Sequence, residues 1–293
     1  MTTEPAPQPP FLDAPQPPEG SKARPRPSWP PWWSVLALVA GFAAALFGAL
    51  VLGVVAVAFG AHFGHQPASI QILATIVQDL CLIGSALLFA RMAGRLGPGD
   101  FGLRPTRLGP AIGWAVLTWL SFYVFTAAFV SIVGASPSDD QLPEQLGVDD
   151  STAALVAVAF LVAVVAPIAE EFFFRGFFFT ALKNWRGLWP AAILTGLVFG
   201  AIHGSSADIA FLLPLAFFGF SLCLLYEKTG SLYPGIAVHC ANNSVAFGAT
   251  QDWTWQIAVL LVCSLAIIGF VALAVRAIWT PPGPPAPAPA PAT

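Results

Sequence analysis

Eight apolar runs, most of them near the length of a bilayer crossing, dominate this 293-residue chain and leave it few ways to fold. They cover Ser34–Gly60, Ile70–Ala90, Ala111–Gly134, Thr152–Leu182, Leu188–His203, Ile209–Tyr226, Leu232–Thr250 and Gln256–Val275. One crossing takes about 20 apolar residues, so the fourth run exceeds what it needs and the fifth falls short. In hydrocarbon a segment must satisfy its own backbone polar groups, as a helix does, or close into a barrel. Runs this long, with no strand alternation, predict an all-α polytopic membrane helix bundle of about eight transmembrane helices. A soluble enzyme is excluded by the 57% hydrophobic and 9% charged composition.

The ends differ from the middle. Of 28 prolines, 11 fall in residues 1–31 and 7 in 281–291. The composition divides the chain into a disordered Pro-rich N-terminal tail (1–31), a transmembrane bundle (32–279) and a disordered Pro/Ala-rich C-terminal tail (280–293). Residues 1–31 lack the basic start and short apolar stretch of a cleavable signal peptide, so the first span is expected to be kept.

Lys22, Arg24 and Arg26 precede span 1, and Arg91, Arg95, Arg104 and Arg107 lie between spans 2 and 3. Lys183 and Arg186 follow span 4, Lys228 follows span 6 and Arg276 follows span 8. Eight crossings put all of these on one side, which the positive-inside rule makes cytoplasmic together with both termini. The opposite loop 135–151 holds Asp139, Asp140, Glu144, Asp149 and Asp150 and reads as a solvated connector. The expected location is the cell membrane, or the inner membrane in a bacterium. A net charge of −3 and the lack of a basic stripe argue against a nucleic-acid partner. Cys81, Cys223, Cys240 and Cys263 show no CxxC spacing and read as small buried hydrophobes.

Ionisable residues inside spans are costly, at least ~2.5–3.5 kcal/mol on insertion scales, and are functional candidates. Span 4 carries Glu170, Glu171 and Arg175. Glu171 and Arg175, four apart, can pair on one helical face, whereas Glu170 points about 100° away without a partner in its own helix. A lone buried carboxylate suits a general base working near neutral pH. Span 5 ends in Phe199-x-x-x-His203, and span 7 carries His239-x-x-x-Asn243. At 1.5 Å per residue, Glu171 and His203 lie roughly 20 and 24 Å from the same membrane face, with Asn243 and His239 at about 16 and 10 Å. One polar cavity from helices 4, 5 and 7 can hold them all.

Taken singly, these residues have ordinary explanations. His203 suits an interface, Arg175 can neutralise Glu171 or snorkel, and Asn243 can glue helices together. Their conjunction at matched depth points to function. Gln78 and Asp79 in span 2 suggest either a helix–helix hydrogen bond or a contact to the site. Gly196-x-x-x-Gly200 reads as close helix packing, and His62 and His65 as loop bystanders. Phenylalanines at 172–174 and 177–179 suit either an apolar substrate or lipid-facing packing.

The pattern Glu170-Glu171-x-x-x-Arg175, Phe199-x-x-x-His203, His239-x-x-x-Asn243 resembles the CAAX-processing and bacteriocin-processing (CPBP) family of intramembrane proteases. The type II CAAX prenyl endopeptidases and lysostaphin-resistance-like bacterial proteins belong to that family. The resemblance covers about residues 152–250 and every motif position. It implies an intramembrane endopeptidase with Glu170, His203, His239 and Asn243 as its catalytic set and Glu171, Arg175 and Phe199 in support.

The implied substrate is a membrane-associated peptide or protein, prenylated CaaX-like in a eukaryotic host or a leader peptide in a bacterium. In the metal-free form Glu170 and His203 activate water while Asn243 and His239 stabilise the oxyanion. In the zinc form Glu170, His203 and His239 are the ligands, although no HExxH helix is present. The sequence leaves open whether the cofactor is none or zinc. A non-catalytic membrane scaffold or an ion- or proton-coupled transporter is the other class of reading, although no inverted repeat is visible.

Overall fold

A computed structural model of the chain describes residues 29–62, 67–94, 96–134 and 145–279. Among the described residues, eight long helices carry the eight apolar runs: α1 (Pro31–Ala58), α2 (Ala68–Met92), α3 (Leu108–Val133), α4 (Thr152–Arg186), α5 (Leu188–Ile202), α6 (Ile209–Thr229), α7 (Leu232–Thr250) and α8 (Trp255–Ile278). A 3-10 turn, Pro98–Phe101, sits between α2 and α3, and another, His203–Ser205, extends α5. No β-strand occurs among the described residues.

Seven of these helices are long and apolar enough to cross a membrane, and the chain is a multi-pass membrane protein. The exception is α7, where His239, Asn242, Asn243 and Ser244 dilute the apolar run. That helix is buried along most of its length instead. Leu46 and Phe47 of α1, Val124 of α3 and Phe270 of α8 are exposed. Outward apolar faces of this kind suit lipid contact, since lipid tails solvate them as well as a protein core does.

Side-chain caps fix several helix starts. Ser151, Asp208 and Ser231 accept from the backbone N–H groups of Ala154, Ala210 and Tyr233, satisfying donors that the first turn leaves open. At the far end of α6, Gly230 at φ 62° takes the left-handed conformation that ends a helix without a Cβ penalty.

The basic loops gather at one end of the bundle. Arg104 Nε donates to Gly230 O at 2.5 Å, Ser231 Oγ to Arg104 O at 2.7 Å and Thr106 Oγ1 to Thr229 O at 3.0 Å. Lys183 pairs with Glu227. Trp29 packs on Phe101 and Phe177, with ring centroids 5.2 and 5.0 Å apart, and Trp279 lies on Gly97, where an added Cβ would meet its ring at 2.8 Å. Both ends of the described body thus meet the loop between α2 and α3.

Several expectations change. Trp29, assigned by composition to the tail, is 2% exposed, so the packed body begins before residue 31. Residues 1–28 and 280–293, together with His65, Arg95, Asp139, Asp140 and Glu144, lie outside the described residues. Cys223 and Cys240 are buried, but Cys81 is only partly so and Cys263 is exposed on the outer face of α8.

At the centre is α4. It relaxes into π-helix at Leu161–Val165 and Phe172–Phe179, on either side of an α-helical stretch, Ala166–Glu171. Phe173, Phe174, Phe177, Phe178 and Phe179 are each at most 2% exposed, so they fill the core and do not face lipid. The α5–α6 contact confirms the small-residue reading. A Cβ on Gly196 would lie 2.5 Å from Ala216 O, and one on Gly200 would lie 2.4 Å from Leu212 O.

Candidate active site

The motif residues of α4 and α7 meet directly. Arg175 Nη1 donates to Glu171 Oε1 at 2.7 Å, as the four-residue spacing requires, and both side chains are buried. Arg175 Nη2 donates to Gly219 O of α6 at 3.0 Å, and its guanidinium stands 4.6 Å from the Phe199 ring centroid. One cation thereby ties α4, α5 and α6 together through an ion pair, a carbonyl and a ring face. Gly235 of α7 makes room for the other Glu171 oxygen, since a Cβ there would sit 3.0 Å from Oε2.

His239 lies between the two glutamates. Its Nδ1 is 3.0 Å from Glu171 Oε1 and its Nε2 is 3.7 Å from Glu170 Oε2. A carboxylate only accepts, so Glu171 fixes the proton on Nδ1 and turns Nε2 toward Glu170. Phe218 and Phe199 pack edge-on to the imidazole, with centroids 5.4 and 5.7 Å away. Glu170 is thus set apart from Glu171. Each keeps a buried Oε2 without a hydrogen-bond partner, but Glu171 Oε1 bonds both Arg175 and His239.

Asn243 is held by a backbone defect. In the π segment Ala166 N–H reaches back five residues to Leu161 O. The next carbonyl, Val162 O, would take its bond from residue 167, which is proline and has no N–H. Asn243 Nδ2 supplies the missing donor at 2.9 Å. An amide carries two N–H groups, so one remains for a ligand. Asn242 Nδ2 donates to Asn243 Oδ1 at 3.4 Å.

His203 is brought near but not into this network. It stands at the end of α5, its Nδ1 2.7 Å from Phe199 O and its ring 4.8 Å from the Phe199 ring. Phe199 therefore touches His203, His239 and Arg175 alike, which gives this motif residue a physical role as the spacer between the two histidines. The zinc reading asks Glu170, His203 and His239 to converge. No group of three His, Cys, Asp or Glu suited to hold a metal occurs among the described residues.

Some participants escape the sequence pattern. The Gly219 and Val162 carbonyls are backbone atoms without a residue signature, and Pro167 gives a hint only once the helix is known to be π at that point. Asp79 of α2 carries a visible signal, a charge in an apolar run. It is 3% exposed, and its Oδ2 is buried without a hydrogen-bond partner.

Comparison with known proteins agrees with this region. Residues 152–245 match the family described as type II CAAX prenyl endopeptidase Rce1-like, a segment that holds all three motifs. The chain is also 32% identical over 82 residues to the candidate membrane peptidase YdiL of Bacillus subtilis (strain 168), a match covering 28% of this chain and 32% of the relative. The chain spans about a third of the length of that curated relative. No solved structure matches the chain.

Proposed function

We propose that this protein is an intramembrane endopeptidase that hydrolyses a peptide bond in a membrane-associated peptide, with Glu170 as general base and no metal. The observation that carries this is the division of labour between adjacent glutamates. Glu171 Oε1 accepts from Arg175 and His239 while its Oε2 is buried against Gly235 without a partner, whereas Glu170 turns its own unpartnered Oε2 to His239 Nε2, 3.7 Å away.

Peptide hydrolysis needs a proton acceptor for water, donors for the developing oxyanion and a proton for the leaving amine. Glu170 Oε2 takes the proton of the attacking water as its oxygen bonds to the carbonyl carbon. The second Nδ2–H of Asn243 and a ring N–H of His239 stabilise the oxyanion. Protonated Glu170 then gives its proton to the amine as the C–N bond breaks. His203, at the mouth of the cluster beside Phe199, orients the water or the substrate. The family segment and the membrane-peptidase relative support a peptide substrate, and the position of the site among apolar helices supports a substrate delivered from the bilayer.

The test is purified protein in lipid vesicles, offered unmodified and farnesylated CaaX peptides and single-span leader peptides, with products read by mass spectrometry. Internal cleavage insensitive to a zinc chelator is expected. Cleavage abolished by the chelator and restored by stoichiometric zinc would overturn the metal-free mechanism, and no cleavage of any class would overturn the peptidase.

A further inference from the structure

One spacing occurs on both α3 and α6: Trp114 to Phe125 and Phe217 to Lys228 are each eleven residues. Eleven residues make about three turns plus 20°, so the members of each pair share a helical face and stand about 16 Å apart along the axis. Contacts join the two faces at both ends. Phe125 stacks on Phe217, with ring centroids 4.1 Å and planes 11° apart, and Lys228 Nζ stands 5.3 Å from the Trp114 ring centroid. The helices thus run antiparallel along a seam that has a cation on an indole at one end and a pair of phenyl rings at the other.

The polar end gathers cations. The hydrogen bonds from Arg104 to Gly230 O and from Thr106 to Thr229 O bring Arg104 and Arg107 to the end of α6 that carries Lys228. All three are exposed, and none pairs with a carboxylate among the described residues. Glu227, next to Lys228 in the chain, is already taken by Lys183. At the other end Phe125, Phe217, Phe220 and Leu213 meet Ile193 and Leu197 of α5 around a groove of about 150 Å³ lined by apolar side chains. This groove lies apart from the catalytic cluster. Ile193, Leu197 and Leu213 are 47–51% exposed on the outer side of α5 and α6, whereas Phe199 and Gly219, which meet Arg175, are buried on the inner side. Gly196 and Gly200 close α5 onto α6 between the two.

The hydrocarbon of one leaflet is about 15 Å deep, half of a bilayer core, which matches the distance along α6 from Lys228 to Phe217. A soluble anion would use the cations and leave the groove, and a neutral hydrocarbon would do the reverse. A lipid with a negative headgroup uses both. We infer that the α3–α5–α6 face binds one anionic phospholipid of the leaflet at the basic end, its phosphate held by Lys228 with Arg104 and Arg107 and one acyl chain laid along α6 into the groove. The indole of Trp114 sits at headgroup level, where tryptophan is favoured. So placed, the lipid braces from outside the two helices that carry Phe199 and Gly219. This site stands whether or not the protein is a peptidase.

The full chain in detergent is titrated with phosphatidylglycerol, with phosphatidylcholine of the same chains and with glycerophosphoglycerol, which has the headgroup and no chains. Bound lipid is counted by native mass spectrometry, with the melting temperature read beside it. One retained equivalent of phosphatidylglycerol and a raised melting temperature are expected, with phosphatidylcholine at least about fivefold weaker and no effect of glycerophosphoglycerol. Lys228→Gln should weaken phosphatidylglycerol about fivefold and leave phosphatidylcholine within twofold. Leu197→Trp, which fills the groove from an exposed position, should weaken both lipids alike; if it does not fold, Ile193→Trp takes its place. Equal retention of the two lipids by wild type, or a preference unmoved by Lys228→Gln, overturns the inference. So does glycerophosphoglycerol binding as well as the intact lipid, or a groove variant that retains phosphatidylglycerol as wild type does.

Discussion

Two neighbouring glutamates with different surroundings are the centre of this molecule. Glu171 is a structural anion: Arg175 and His239 both bond its Oε1, and the absence of a Cβ at Gly235 lets the rest of the carboxylate in. A buried pair of this kind adds little over an apolar replacement of both partners, but removing one partner strands the other charge. Arg175→Leu should therefore destabilise the protein by about 3–5 kcal/mol, read as a lower melting temperature in detergent. Arg175→Lys should recover only part of the loss, since an ammonium cannot reach Glu171 and Gly219 O in the planar fork that guanidinium uses. The sequence exposed this much readily, because a carboxylate and a guanidinium four residues apart in an apolar helix have few alternatives. It could not show that His239 bonds Glu171, because that depends on the rotation of α7 against α4.

Among the elements, α4 departs most from regular geometry. Its two π segments bracket the Glu170–Glu171 turn, the setting in which π-bulges often mark function. Pro167 and the first bulge together strand Val162 O, and Asn243 satisfies it across the α4–α7 interface. Restoring the missing N–H should release that constraint. Pro167→Ala is expected to melt at or above the wild-type temperature, since the backbone closes its own hydrogen bond. Turnover should fall several-fold as Asn243 loses its anchor. Unchanged turnover would show that Val162 O does not position the amide. The length of the fourth run was legible, but its register was not, because the choice between four- and five-residue hydrogen bonds is made by packing. The six phenylalanines illustrate the same limit. An all-apolar stretch does not say which face is inward, and a central helix with neighbours on every side buries nearly all of them.

Over the whole molecule, the loop after α2, the end of α4 and the α6–α7 junction converge on one end with Trp29 and Trp279. We propose that this end is cytoplasmic, as the positive-inside rule has it. In a variant with its four native cysteines replaced, Arg186→Cys should react with a membrane-impermeant thiol reagent only after cells are permeabilised. Ser151→Cys, at the other end of α4, should react in intact cells, and the reverse pattern would invert the topology. Eight apolar runs were readable as eight helices because run length alone carries that signal. The partial failure of α7 as an independent span follows from His239, Asn242, Asn243 and Ser244, which are too polar for lipid and are sheltered by the other helices.

The central claim is that Glu170, and not Glu171, accepts the proton of the attacking water. The most direct measurement is the rate of peptide cleavage by Glu170→Gln in lipid, set beside its melting transition. The account predicts a wild-type melting temperature with kcat lowered about 10²- to 10⁴-fold. A folded Glu170→Gln protein that cleaves at the wild-type rate would contradict it.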